Sequence, residues 1–347
     1  MTAFVLGDIA DLSWGDTSVT KKSYVTEDVR YPAFSASGND GELPYFDYDR
    51  DAVIISAIGA NAGATWLARG KWSCIKNTIR FFSRDENIAD TRFLYWATLK
   101  PGTWPLRGSA QPFISQGDAR KVEVILPPIE EQRAIAATLG ALDDKIESNR
   151  RACDLLWSLI GASWEKLTEE ASVRPLGDVL ELVYGKSLPA VKRTHGSVPV
   201  YGSNGITGWH NDSLVSGPVV VVGRKGSIGE VHWSHVSAFP IDTTFYVRAR
   251  DNYPLVACYV ALRKAGLQSM NSDSAIPGLN RDRALQVRVT LPVLREATAW
   301  ATNANLLVTQ VAAIEEQTVT LETLRNDLLP ELLSGRIRVS TTTEVVA

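Results

Sequence analysis

Leu126–Glu170 reads LPPIEEQRAIAATLGALDDKIESNRRACDLLWSLIGASWEKLTEE, and the fold follows from it. Pro127-Pro128 cannot sit inside a helix, and no proline follows them in this stretch. Apolar or small side chains fall at Ile135, Leu139, Leu142, Ile146, Cys153, Leu156, Ile160 and Leu167, in steps of four, three or seven. That is a heptad-like seam. Asn149 sits on it between Ile146 and Cys153, where it either fixes the register of a paired helix or marks a splay. At ~1.5 Å per residue such a helix is on the order of 60 Å long, a strut rather than part of one globular core.

The chain repeats itself around this strut. Leu6-Gly7-Asp8-Ile9 returns as Leu176-Gly177-Asp178-Val179, and Ser37-Gly38-Asn39-Asp40-Gly41 resembles Gly202-Ser203-Asn204-Gly205. Residues 52–81 lie without gaps over 218–247, with Val53/Val219, Gly63/Gly229, Ile75/Ile241 and Thr78/Thr244 in register. Tyr95 and Ala97 pair with Tyr259 and Ala261, Ser109-Ala110-Gln111-Pro112 with Ser274-Ala275-Ile276-Pro277, and VEVILPP (122–128) with VRVTLPV (287–293). All offsets lie near 164–170, so the chain contains two copies of one unit. Each copy has short β-branched runs broken by Gly, Asn, Asp and Pro, then a long helix. Short helices are expected over Thr91–Leu99 and Leu255–Lys264. The second long helix is expected over Leu294–Leu333, with Ala304, Leu307, Val311, Ile314, Thr318, Leu321 and Leu328 on its seam and Gly335 as its stop. Two apolar seams in one chain have most to gain by packing on each other.

The 347 residues suffice for two or three domains, and 45% hydrophobic with 22% charged residues is ordinary for a globular protein. Val219–Val222 is far too short to span a bilayer, and the acidic start MTAFVLGDIADL is unlike a secretory leader. Cys74, Cys153 and Cys258 form no CxxC and read as reduced thiols of a cytoplasmic protein. The net charge of -3 conceals a contrast: residues 171–292 carry 13 basic against 8 acidic groups, whereas 128–170 carry 5 against 9. Solvated helices are often acidic, but the basic excess in one globular segment is also what a polyanion partner requires.

LPPIEEQRAIAATLGALDDKIESNRR (126–151) resembles the first conserved region of specificity (S) subunits of type I restriction-modification systems. VPVYGSNGITGWH (198–210) and PVVVVGRKGSIGEVHW (218–233) look like a target recognition domain of that family, and LETLRNDLLPELLSGRI (321–337) like its second conserved helix. The resemblance implies an α+β fold: two pseudo-two-fold-related α/β target recognition domains separated by an antiparallel pair of long coiled-coil helices. Its expected divisions are a recognition domain at 1–127, a helix at 128–170, a recognition domain at 171–292, a helix at 293–338 and a disordered tail at 339–347. It further implies a chain without catalytic activity. Each domain reads one half of a split, asymmetric site in double-stranded DNA, and the helices set the spacer and dock two adenine methyltransferase subunits. S-adenosylmethionine, ATP and Mg belong to those partners and to motor-nuclease subunits, and this chain holds none. The first helix presents Glu130, Glu131, Gln132 and Arg133 for partner binding, but the second has Arg295-Glu296-Ala297 in place of Glu130-Glu131-Gln132, so its methyltransferase contact is weaker or built differently. The alternative is a coiled-coil scaffold or interaction protein of a defence complex whose domains have lost DNA binding.

For DNA contact, the second domain offers Lys186, Tyr201, Ser203, Asn204, Arg224, Lys225, Ser227, Thr243, Asn280, Arg281 and Arg283, all in expected turns. Arg and Lys suit guanine edges or phosphates, and Asn suits adenine. Any one of these can equally be a solvated turn residue. The corresponding choices in the first domain are Ser37, Asn39, Asn61, Lys76, Asn77 and Arg107. GRKGSIG (223–229) lacks the ending of a phosphate-binding P-loop. His232 and His235 form HxxH, but Trp66 and Arg69 stand at those places in the first copy, which argues against a metal. Asp143-Asp144 sit mid-helix beside Lys145, as a solvated or partner-facing patch rather than a catalytic pair.

Overall fold

The structure is a computed structural model that describes residues 1–26, 30–270 and 278–339. The expected tail from 340 on and Ser274-Ala275-Ile276-Pro277 of the repeat lie outside the described residues. The chain forms two compact units, Met1–Ile146 with the segment from Thr320 onward, and Glu147–Val319.

In the first unit a four-stranded antiparallel sheet runs Ala10–Trp14, Thr78–Ser83, Ala52–Ser56, Thr65–Ala68. A second sheet orders Gly38–Leu43, Tyr31–Ser35, Lys71–Cys74 and Tyr48–Asp49, and its middle pair is parallel. The second unit repeats this with Leu180–Tyr184, Thr244–Ala249, Val219–Gly223 and Val231–Ser234 in one sheet. Its other sheet holds Gly205–His210, Val198–Gly202 and Phe239–Pro240, again with one parallel pairing. The bulge between Ala33 and Phe34 recurs between Val200 and Tyr201. Among the described residues the first unit also has the short strand Tyr48–Asp49.

Why the β-branched runs form central strands is visible in their burial. Val219–Val222 are all buried, and alternation divides them between two clusters. Val220 and Val222 pack toward the helix Leu255–Lys264, while Val219 and Val221 pack with Tyr201 and Ala238. Val53 and Ile55 separate from Ala52 and Ile54 in the same way. A strand covered on both faces needs a continuous apolar run, which is the pattern seen.

The long helices span Ile129–Thr168 and Leu294–Leu333, 40 residues each. In each unit they pack antiparallel. In the second unit Asn149 Nδ2 donates to Gln317 Oε1 (2.9 Å) and Thr318 Oγ1 (3.2 Å), Cys153 faces Val311, and Trp300 Nε1 donates to Ser163 Oγ at 3.0 Å. Asn149 is buried and its amide nitrogen donates to two residues of the facing helix, so it pins register and the helices do not splay there. In the first unit Leu328, Leu329, Leu332 and Leu333 pack into the core that holds Ile135, Ala136 and Leu139. The sequence seam misses Ala297, Ala301, Val308 and Trp164, all buried. Gly335, at φ +70°, ends the second helix as expected. No helix among the described residues is long and apolar enough to cross a membrane.

Candidate nucleic-acid interface

At one edge of the second unit, three turns are tied together by their backbones. Gly223 must be glycine, since a Cβ there would stand 2.0 Å from the Ser227 carbonyl. The Arg224–Ser227 turn that follows folds back on Thr243, whose carbonyl accepts from Arg224 N (2.9 Å), Lys225 N (3.1 Å) and Ser203 Oγ (2.8 Å). The Ser203 hydroxyl also lies against the Lys225 carbonyl, and Ser203 O faces His232 Nε2 at 3.2 Å. Lys186 N donates to Pro240 O (3.1 Å), and Gly185 N to Thr244 O (3.1 Å), which brings the end of Leu180–Tyr184 to the same edge. Leu279 N donates to Arg224 O (2.8 Å) and closes the group with the start of the helix Arg281–Leu285.

The expected residues divide clearly. Lys186, Asn204, Lys225, Arg281 and Arg283 are exposed, with Arg224 and Ser227 half-buried beside them. Ser227 Oγ stands 3.5 Å from Asn204 Oδ1 at the tip of the hairpin. Tyr201 and Ser203 are buried and build the turn rather than facing solvent, and burial holds the Tyr201 hydroxyl above its ordinary pKa. Thr243 serves through its carbonyl, and Asn280 caps the short helix by accepting from Arg283 N at 2.9 Å. Among the described residues no carboxylate pairs with Lys186, Arg224, Lys225 or Arg283; the Arg224 guanidinium donates to the Asp242 carbonyl at 3.1 Å.

Tyr184 was missed by the sequence reading. It is exposed, packs its ring on Phe245 at 4.9 Å, and has the Arg224 and Arg281 guanidiniums 4.9 and 5.6 Å from its ring centre. Gly185 after it is required, because a Cβ would meet the Ile241 carbonyl at 2.2 Å. The first unit repeats the pattern with exposed Trp14 before Gly15, whose Cβ would meet the Ile75 carbonyl at 2.2 Å. An aromatic residue before a glycine at equivalent strand ends was the available signal.

The first unit's other candidates are less concentrated. Ser37, Asn39, Asn61, Lys76, Asn77 and Arg107 are exposed. Ser37 Oγ accepts from Lys21 (3.3 Å), Asn61 donates to Ala36 O (3.3 Å), and Asn77 holds a turn at φ +68°. Arg107 is paired with Asp118 at 2.6 Å. The Ser115 hydroxyl, with Arg107, holds the Asp118 carboxyl below its usual range.

At the start of the first long helix, Glu130 and Arg133 are exposed, and the Arg133 guanidinium donates to Glu86 O at 2.9 Å. Glu131 is half-buried, with Arg338 4.0 Å away. Gln132 is a different case. It is 1% exposed, accepts from Asp90 N (2.9 Å) and donates to Ile88 O (3.0 Å) and Pro127 O (2.9 Å). Its side chain is spent inside the unit. In the second unit Ala297 occupies that helix position, and Pro292 O, the equivalent of Pro127 O, accepts instead from buried Tyr253 Oη at 3.1 Å. The departure at Ala297 is therefore an exchange of internal clamps.

Asp143 and Asp144 pair with Arg325 and Arg69, in the latter case at 2.6 Å. His235 accepts from Trp233 Nε1 (3.2 Å) at Nδ1, which leaves Nε2 to donate to Glu315 at 3.3 Å. These groups are structural ion pairs and hydrogen bonds. No cluster of three or more His, Cys, Asp or Glu side chains fit for a metal ion occurs among the described residues.

The family described as "Type I restriction modification DNA specificity domain" matches residues 1–153. The type I restriction enzyme EcoDI specificity subunit of Escherichia coli is 28% identical over 148 residues, 42% of this chain and 32% of that protein. Residues 1–153 are thus similar to the DNA specificity domain of type I systems. The chain covers about a third of the length of that E. coli relative. The S subunit of a type I restriction-modification system from M. genitalium, known as a crystal structure, is 20% identical and shares this chain's fold with a TM-score of 0.65 over 95% of each chain. The α+β fold, with β-sheet units and long helices that pack together within each unit, is the one shared with that crystal structure.

Proposed function

We propose that this chain is the non-catalytic DNA-recognition subunit of a type I restriction-modification complex, each β-sheet domain reading one half of a split asymmetric site. The helices set the spacer and dock adenine methyltransferase subunits through exposed groups such as Glu130 and Arg133. Motor-nuclease subunits join that assembly. What supports the reading most directly is the edge of the second unit, where Lys186, Arg224, Lys225 and Arg283 stand without carboxylate partners among the described residues. Unneutralised cations on interlocked turns match the contacts a phosphate backbone takes, and Asn204 beside them has the donor and acceptor an adenine edge requires. Mapping modified adenines in the host genome with and without this gene tests the reading. Loss of a split, asymmetric set of modified sites is expected, and an unchanged pattern refutes it.

A second reading is favoured for the first unit alone. Its candidate Arg107 is already paired with Asp118, so that unit serves as a scaffold with weakened DNA contact. If so, the modified sites share one conserved half-sequence and not two.

A further inference from the structure

We propose that Tyr184 is a positioning residue that holds Arg224 and Arg281 as a two-pronged clamp for a single phosphodiester of the DNA backbone, an inference that rests on the DNA-recognition reading above.

The two arginines come from turns far apart in sequence, yet both guanidiniums stand within 6 Å of one ring, at 4.9 and 5.6 Å. Cations gather at an aromatic face because the ring quadrupole attracts them. Two guanidiniums that share one ring nevertheless repel each other. Asp282 offsets Arg281 at 3.0 Å, whereas no carboxylate among the described residues offsets Arg224. The cluster thus keeps an excess of positive charge at an exposed ring. An oxyanion with several acceptor atoms, spanning two guanidinium forks, resolves that excess.

The ring is itself fixed. Phe245 packs against it at 4.9 Å, and the Gly185 turn allows no side chain that could displace it. Arg224 is held from the other direction, its guanidinium donating to Asp242 O and its carbonyl accepting from Leu279 N. Tyr184 therefore needs its ring and not its hydroxyl, for which no hydrogen bond occurs among the described residues.

The test is DNA binding by the full chain with its methyltransferase partner, using a duplex that carries a mapped modification site, measured from 50 to 300 mM salt. Tyr184→Phe is expected to bind within about twofold of wild type. Tyr184→Ala is expected to weaken binding by roughly tenfold, the scale of charged hydrogen bonds lost. Arg224→Ala with Arg281→Ala is expected to lower the log-log salt slope by about 0.9, one phosphate, and Tyr184→Ala should add little to that pair. A slope change near twice that value assigns two phosphates and overturns the clamp. So does a silent Tyr184→Ala, or a Tyr184→Phe as damaging as the alanine. Near-ultraviolet circular dichroism of each variant separates misfolding from lost contact, and the phenylalanine variant keeps the test decisive if the alanine protein does not fold. If Lys186→Ala, Lys225→Ala and Arg224→Ala all bind normally, the interface reading itself fails. If they weaken binding while Tyr184→Ala does not, only the clamp fails.

Discussion

Replacing Gln132 by alanine separates an internal clamp from a partner contact. Gln132 is 1% exposed, and its side chain satisfies one backbone N–H, at Asp90, and two backbone carbonyls, of Ile88 and Pro127. Alanine leaves three backbone polar groups without these partners. A buried group so orphaned loses about 1–3 kcal/mol, and water entering the vacated space restores part of it. The expected loss is therefore about 3–5 kcal/mol for the first unit. For a unit of roughly this size each kcal/mol lowers the melting temperature by about 2–4 °C, so a fall on the order of 10 °C is expected. Hydrogen exchange should show the damage locally, with early loss of protection at Asp90. Gln132→Glu should be comparably harmful, since a carboxylate accepts from Asp90 N but cannot donate to either carbonyl. The refuting result is an unaltered melting temperature with weakened methyltransferase association. That outcome would make Gln132 a partner contact and remove the explanation of Ala297.

Other expectations follow from the same structure. Tyr253→Phe removes the hydroxyl that donates to Pro292 O and should destabilise the second unit by about 1–2 kcal/mol in urea titration, whereas Ala297→Gln should give no gain, its acceptor being already satisfied. Burial raises the Cys74 and Cys258 thiols to about 12, so both should resist iodoacetamide at pH 8 until the protein is unfolded. Because the folded thiols titrate above the unfolded value of about 8.5, their contribution is fully present below that pH and is lost as pH rises toward about 12. Urea midpoints should accordingly decline through that alkaline window, and midpoints that stay level would refute the assignment. Trp14→Ala should weaken DNA binding without lowering the melting temperature by more than a few degrees, since the ring is 39% exposed; a large thermal loss with normal binding would make it a core residue.

The repeat, the two long helices and the strand-rich units were legible because each rests on a local period. Val219–Val222 reads as a strand because it is a β-branched run bounded by turn residues, and the spacing from Ile135 to Leu167 reads as a helix with one apolar face. The positions of Lys186, Arg224, Lys225 and Arg281 in turns were legible too, since glycine flanks or begins most of these segments. Their convergence was not. It depends on the Thr243 carbonyl gathering three donors and on Gly185 permitting close approach to the Ile241 backbone, which are meetings between segments far apart in the chain. The same limit explains Tyr201, Ser203 and Gln132: residue type announces a capacity to hydrogen-bond, and only packing decides whether the partner lies inside the protein or outside it. Sequence alone determined the architecture and the copy number of its parts, because periodicity is a property of neighbours. The tertiary structure alone decided which cations remain unneutralised and which ring they share, because pairing of charges is a property of distance.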